Sequence, residues 1–203
     1  MGPSARRWIG SIAVVLCFVA IAALPAATEQ NDFRFSILGD RTGDAVPGVY
    51  EAVWRDVAAI HPDFVINVGD TIQGGNDATA ASEWKALRPI WERYRHPFYF
   101  TPGNHDIWSP VSRKIYEQQT GHPAFYGFNY QNAHFTVLDN SETENLSDEQ
   151  MAFLERDLAA NKDRNLKFVL FHKPFWLIPV RFHSSEFPFH RLIKKYGVGY
   201  VLS

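Results

Sequence analysis

"YFTPGNHDIW", residues 99–108, sets an amide, an imidazole and a carboxylate side by side, as Asn104, His105 and Asp106, directly after an apolar run and a Pro-Gly turn. A short apolar run bounded by turn residues reads as a buried strand. These three side chains therefore stand where a strand stops. The pattern recurs on both sides. "FRFSILG" (33–39) runs into Asp40, "DFVINVG" (63–69) into Asp70, and "KFVLFH" (167–172) closes on His172.

Helical segments alternate with these strands. "PGVYEAVWRDVAAI" (47–60) has apolar residues three and four apart, and "ASEWKALRPIWERYR" (81–95) leads to the strand "PFYFT" (97–101). "RKIYEQQT" (113–120) is a shorter helix. "AFYGFNYQNAHFTVLD" (124–139) reads as a hairpin turning across Gln131 and Asn132. Ser147 with Gln150 three residues later forms a capping box for "DEQMAFLERDLAANK". After 172 come an aromatic loop, a helix near 186–195 and a last strand, "GYVLS" (199–203).

This order makes the chain an α/β protein. In open α/β folds ligands bind outside the carboxyl ends of strands, where loops converge over a rigid sheet. Four strand ends here supply Asp40, Asp70, Asn104, His105 and His172. Oxygen and nitrogen donors of this kind suit Mn, Fe or Zn. With 203 residues, 46% of them hydrophobic, one compact domain with a sizeable core is expected. The net charge of −2 gives no general pull toward nucleic acid or an anionic membrane, so an anionic substrate has to be held locally.

Arg6 and Arg7 precede the run "WIGSIAVVLCFVAIAALPAA", and small residues near Ala26 offer a cleavage site; residues 1–27 read as a signal peptide for export. The competing reading is an uncleaved membrane anchor, since the run is long enough to span a bilayer. Cys17, the single cysteine, lies inside this run, so metal ligands in the mature chain must be Asp, Asn, His or Glu.

"GD" at 39–40, "GD" at 69–70, "GNHD" at 103–106 and "FHKP" at 171–174 resemble, in order, the blocks of the calcineurin-like metallophosphoesterases, across residues 33–203. The resemblance implies a four-layer α-β-β-α sandwich of two mixed sheets. It also implies two divalent or trivalent metal ions (Mn, Fe or Zn). Asp40 would bind the first, Asp70 would bridge both, and Asn104 and His172 would bind the second. His105 would protonate the leaving oxygen or steady the phosphoryl group, and Asp106 would hold the His105 ring in its productive tautomer. Two cations about 3.5–4 Å apart clamp the attacking and leaving oxygens and make hydroxide available near neutrality. The implied activity is hydrolysis of phosphomono- or phosphodiesters by an exported enzyme. The alternative is a non-catalytic protein of the same fold that binds metal, phosphate or a partner.

Two departures from the family pattern stand out. The first block usually reads Asp-x-His, and here it reads Asp40-Arg41-Thr42; in the purple acid phosphatase branch a Tyr three residues after the bridging Asp takes over, and that position is Gln73. The closing Gly-His-x-His block is missing after "YGVGYVLS". A truncated gene product or fragment is the favoured expectation, with a natural degenerate protein as the alternative. Among other candidates, Arg41 is a possible phosphate contact. His61, His96, His122, His134, His183 and His190 match no block and read as structural, as do Trp108, Tyr126, Tyr130, Phe175 and Trp176. Asn145 opens a formal glycosylation sequon that reads as the approach to the Ser147 cap.

Overall fold

A computed structural model describes residues 32–182 and 187–203. The N-terminal leader or anchor, Cys17 and His183 lie outside the described residues. Strands β1 (Phe35–Leu38), β2 (Phe64–Asn67) and β3 (Phe98–Phe100) form one parallel sheet in the order β1-β2-β3. A second, mixed sheet has the order β4-β5-β6-β7, from β4 (Tyr126–Tyr130), β5 (Ala133–Val137), β6 (Leu166–Leu170) and β7 (Tyr200–Leu202). The β4–β5 pair is the antiparallel hairpin expected across Gln131 and Asn132, and β5, β6 and β7 run parallel.

The sheets stack because the faces they turn to each other are apolar. Along β2, Val65 turns to one side and joins Trp54, Trp84, Trp91, Phe100 and Tyr116 in a core under the helices α1 (Val49–Ala59), α2 (Asp77–Glu92) and α3 (Pro110–Thr120). Its neighbours Phe64 and Ile66 turn to the other side and meet Phe135, Val137, Phe168 and Leu170 of the second sheet. That seam is mostly aromatic: Phe35 stacks on Phe64 at 5.3 Å, Phe64 meets Phe135 edge-on at 5.5 Å, and Phe135 stacks on Phe168 at 4.5 Å. Beyond the second sheet, α4 (Asp148–Ala160) and α6 (Pro188–Tyr196) cover Val169 and Phe171 with Leu154, Leu158 and Phe189. The result is the expected four layers, α-β-β-α. A short helix, α5 (Leu177–Arg181), lies in the segment read as an aromatic loop.

Boundaries moved where caps decide them. α2 begins at Asp77 rather than 81 because the Asn76 side chain accepts the Ala78 N–H at 3.0 Å. α3 begins at Pro110 because Ser109 and Ser112 cap each other's backbone. At α4 only half of the expected capping box forms. Ser147 accepts the Gln150 N–H, but the Gln150 amide turns inward and bridges the N–H and C=O of Asp139, at 2.7 and 2.6 Å. His134, 1% exposed beneath α4, is the satisfied structural histidine expected: its ring nitrogens reach Asp157 at 2.7 Å and Asn129 at 2.8 Å. Phe175 packs on Phe171 and Phe189, and Tyr126 and Tyr130 pack into the seam. No helix among the described residues is long and apolar enough to cross a membrane.

Phe135 is fully buried at the centre of the seam. Phe135→Ala is expected to destabilise the fold by about 3–5 kcal/mol, read from a denaturant titration.

Candidate active site

Parallel pairing brings the carboxyl ends of β1, β2 and β3 to one edge of the molecule, and β6 delivers His172 to the same edge from the second sheet. The turns lock to one another: the Asp40 N–H donates to the Gly69 carbonyl at 3.2 Å, and the Arg41 N–H to the Asp70 carbonyl at 3.1 Å. Asp40 (φ 51°) and Asp70 (φ 57°) both sit in the left-handed region, which a short polar side chain tolerates better than most. The glycines before the site residues have a packing reason. A Cβ on Gly69 would overlap the His172 imidazole, and one on Gly103 would overlap the carboxylate and backbone nitrogen of Asp70.

Asp70 is the hub and is only 4% exposed. Its Oδ1 accepts the His105 backbone N–H at 3.0 Å, while Oδ2 lies 3.3 Å from His172 Nε2, 3.2 Å from the Thr42 hydroxyl and 4.0 Å from His105 Nε2. Burial works to raise its carboxyl, but the His172 hydrogen bond and the His105 N–H hold it below the usual carboxylate value. His172 moves the other way: burial favours the neutral ring, and Asp70 with the Val68 carbonyl outweighs it and raises the imidazole. Its Nδ1 pairs with that carbonyl at 2.9 Å, which points Nε2 at Asp70. Asn104 is half-buried in the same turn as His105.

Thr42 stands where the family pattern has an imidazole. Its hydroxyl lies 3.2 Å from both Asp40 Oδ1 and Asp70 Oδ2, and with one proton it donates to one of them at a time. Arg41 reaches the Thr71 carbonyl at 3.4 Å and lies 5.6 Å over the Tyr50 ring. A cleft of about 550 Å³ opens beside Asp40 and Thr42, along the start of α1.

The expected role of Asp106 requires correction. Its carboxylate does not meet the His105 ring; it is fully buried and accepts three backbone N–H groups, from Gly103 at 3.0 Å, Thr71 at 2.9 Å and Ile72 at 3.2 Å. It staples the turn after β3 to the turn after β2. The ring of His105 is oriented instead by the Gln73 main-chain carbonyl, which pairs with Nδ1 at 2.5 Å. The Gln73 side chain also accepts the Gly43 N–H at 3.3 Å, so this one residue braces both the Asp40 loop and His105. Asn140 was likewise missed. Its Oδ1 accepts the N–H groups of His172 and Lys173 at 3.2 and 3.1 Å, and its amide donates to the Lys173 carbonyl at 2.7 Å. Its position just past β5, at another strand end, is the signal that would have found it.

Among the described residues no group of three His, Cys, Asp or Glu side chains gathers tightly enough to hold a metal unaided. The donor set fits a cation at Asp70 and His172, because the Val68 carbonyl fixes the ring so that Nε2 faces the carboxylate. On the Asp40 side the donors are the two carboxylates, with the Thr42 hydroxyl between them.

Burial pushes the Asp106 carboxyl up to about 7, against the pull of its three N–H donors. The folded chain thus keeps a proton that the unfolded chain, with a carboxyl at 3.8, releases. This group's contribution to stability is full below about pH 4 and is lost as pH rises through about 7. Asp106→Ala strands the three buried N–H groups. It is expected to cost at least about 3 kcal/mol in denaturant titrations at low pH, with the gap to the parent narrowing toward neutrality.

A family model described as Calcineurin-like phosphoesterase matches residues 42–203. The match begins two residues after Asp40, later than the residue 33 expected from the sequence blocks. No curated protein matches the chain. Among solved structures, the chain is similar to the purple acid phosphatase PPD1 from yellow lupin (Lupinus luteus) seeds, with a TM-score of 0.61 and 17% identity over 83% of this chain and 37% of that one. It is also similar to a dimetal phosphatase from Danio rerio, with a TM-score of 0.51 and 11% identity over 69% of each chain. At these identities the likeness concerns the fold, and the chain spans 37% of the lupin protein's length. The family match over most of the chain, with its strand-end blocks assembled at one edge of a four-layer sandwich, makes this protein a member of the calcineurin-like phosphoesterase family.

Proposed function

We propose that this chain acts in the metal-dependent hydrolysis of phosphomono- or phosphodiesters, and that it is exported. The observation that carries the reading is the convergence on one buried carboxylate: Asp70 meets His172, Thr42 and the backbone of His105, contributed by turns from both sheets. Export rests on Arg6, Arg7 and the apolar run up to Ala26.

Asp40, Asp70, Asn104 and His172 would hold the ions, Mn, Fe or Zn; when bound, these supply Lewis acidity at the phosphoryl oxygens and a water of lowered pKa. The chain's own groups do the positioning. The Val68 carbonyl fixes the His172 ring, and Asn140 fixes its backbone. The Gln73 carbonyl accepts the His105 Nδ1–H, so a protonated ring presents its Nε2–H to a leaving-group oxygen. The His105 side chain is 34% exposed, which leaves that nitrogen accessible to a substrate entering from solvent.

The test is turnover of a phosphate ester with added manganese, in the parent and two variants. His105→Ala is expected to lose about 10²–10⁴ in kcat while keeping its manganese content. Asp70→Asn is expected to lose turnover together with about tenfold or more in manganese affinity. A parent that binds a phosphate ester and never turns it over would replace this reading with that of a binding protein of the same fold.

A further inference from the structure

Cleft walls beside a reactive centre decide which substrate is held there, and the cleft at Asp40 has an unusual lining for a site that handles phosphate. Its volume of about 550 Å³ falls within the range of small-molecule pockets, roughly 300–1,000 Å³. Much of its wall is apolar, with Leu38, Val46, Val49, Tyr50 and Ile90 among the lining residues. Val46 and Val49 are 64% and 52% exposed, so apolar surface here faces water with no cover among the described residues. The cleft shares Asp40 and Thr42 with the site, and Gly43 in its wall is bonded to Gln73, whose carbonyl orients His105. The cleft is thus within reach of the alcohol of an ester whose phosphoryl group is held at Asp40. Its charges argue against a second phosphate. Arg41 is engaged by the Thr71 carbonyl and the Tyr50 ring, while the acidic residues Asp44 and Glu51 are among those lining the same space. A second cleft, near Asp32, His61 and Asp63, lies at the amino ends of the strands, away from these residues.

We infer that this cleft holds the alcohol portion of the ester, and that the alcohol is uncharged and aromatic or similarly apolar. The inference rests on the hydrolase reading and deepens it. Burying a phenyl ring in the cleft favours such a substrate in the bound state, whereas a short hydroxylated alcohol gains nothing from the valine walls, and a polyanionic one is also repelled by Asp44 and Glu51.

The test compares 3-phenylpropyl phosphate with 3-hydroxypropyl phosphate, two primary alkyl esters with leaving groups of similar acidity, on the full chain with manganese. A kcat/KM ratio of about tenfold or more in favour of the phenyl ester is expected. Val49→Asp should bring the ratio close to one. Val49 is the first residue of α1 and half-exposed, and an acidic residue at a helix N-terminus is well tolerated, so the variant is expected to fold. A ratio near one in the parent, or a ratio that Val49→Asp leaves intact, overturns the inference. If neither ester is hydrolysed, the hydrolase reading fails separately, and calorimetry decides the cleft. 3-Phenylpropylphosphonate binding about tenfold more tightly than methylphosphonate, with the difference lost in Val49→Asp, upholds it; equal binding of the two overturns it.

Discussion

Everything at the carboxyl edge of this fold depends on how closely the turn after β3 approaches Asp70. Gly103 lies so near the Asp70 carboxylate that no side chain fits between them, and the Asp70 Oδ1 takes the N–H of His105 from the same turn. From the other side, Gly69 admits the His172 ring into space a Cβ would fill. Two glycines thus let three turns meet at one carboxylate. The charged group so enclosed is kept ionised by the His172 imidazole and the His105 N–H.

Asp106 shows how the same residue type takes a different part in the neighbouring turn. Both carboxylates are buried, and Asp70 accepts one backbone N–H where Asp106 accepts three. Asp70 also faces two histidines, and its carboxyl is lowered. Asp106 faces no cation among the described residues, its three partners are neutral amides, and its carboxyl is raised to about 7. One acid is arranged to hold charge, the other to hold backbone. That division follows from what surrounds each group, and the "GNHD" sequence alone does not disclose it.

The sequence was most legible where a single period governs. Apolar runs ending in Gly-Asp, Gly-Asn or His located four strand ends, and three- and four-residue spacing located the longer helices to within a few residues, though not the short α5. The exchange of partners was not legible. Gln73 braces His105 through a main-chain carbonyl, an atom every residue possesses, so its side chain carries no hint of that role. Asn140 lies 32 residues before the His172 backbone that it holds, and only the pairing of β5 with β6 brings the two together. Gln150 has the spacing of a capping residue and serves a different loop, because its buried amide finds two backbone groups of Asp139 within reach. Local pattern gives the elements; tertiary neighbours decide which polar atoms they satisfy.

The aromatic seam between the sheets has a bearing on the site that it never touches. Asp40, Asp70 and His105 ride on the first sheet and His172 on the second, so the gap between Asp70 and His172 is gauged by the thickness of the stacked phenyl rings of Phe35, Phe64, Phe135 and Phe168. Close-packed rings compress little. The seam therefore acts as a spacer block. A change in ring size at its centre would be transmitted as a change in the separation of opposing ligands, even with every residue at the carboxyl edge left in place.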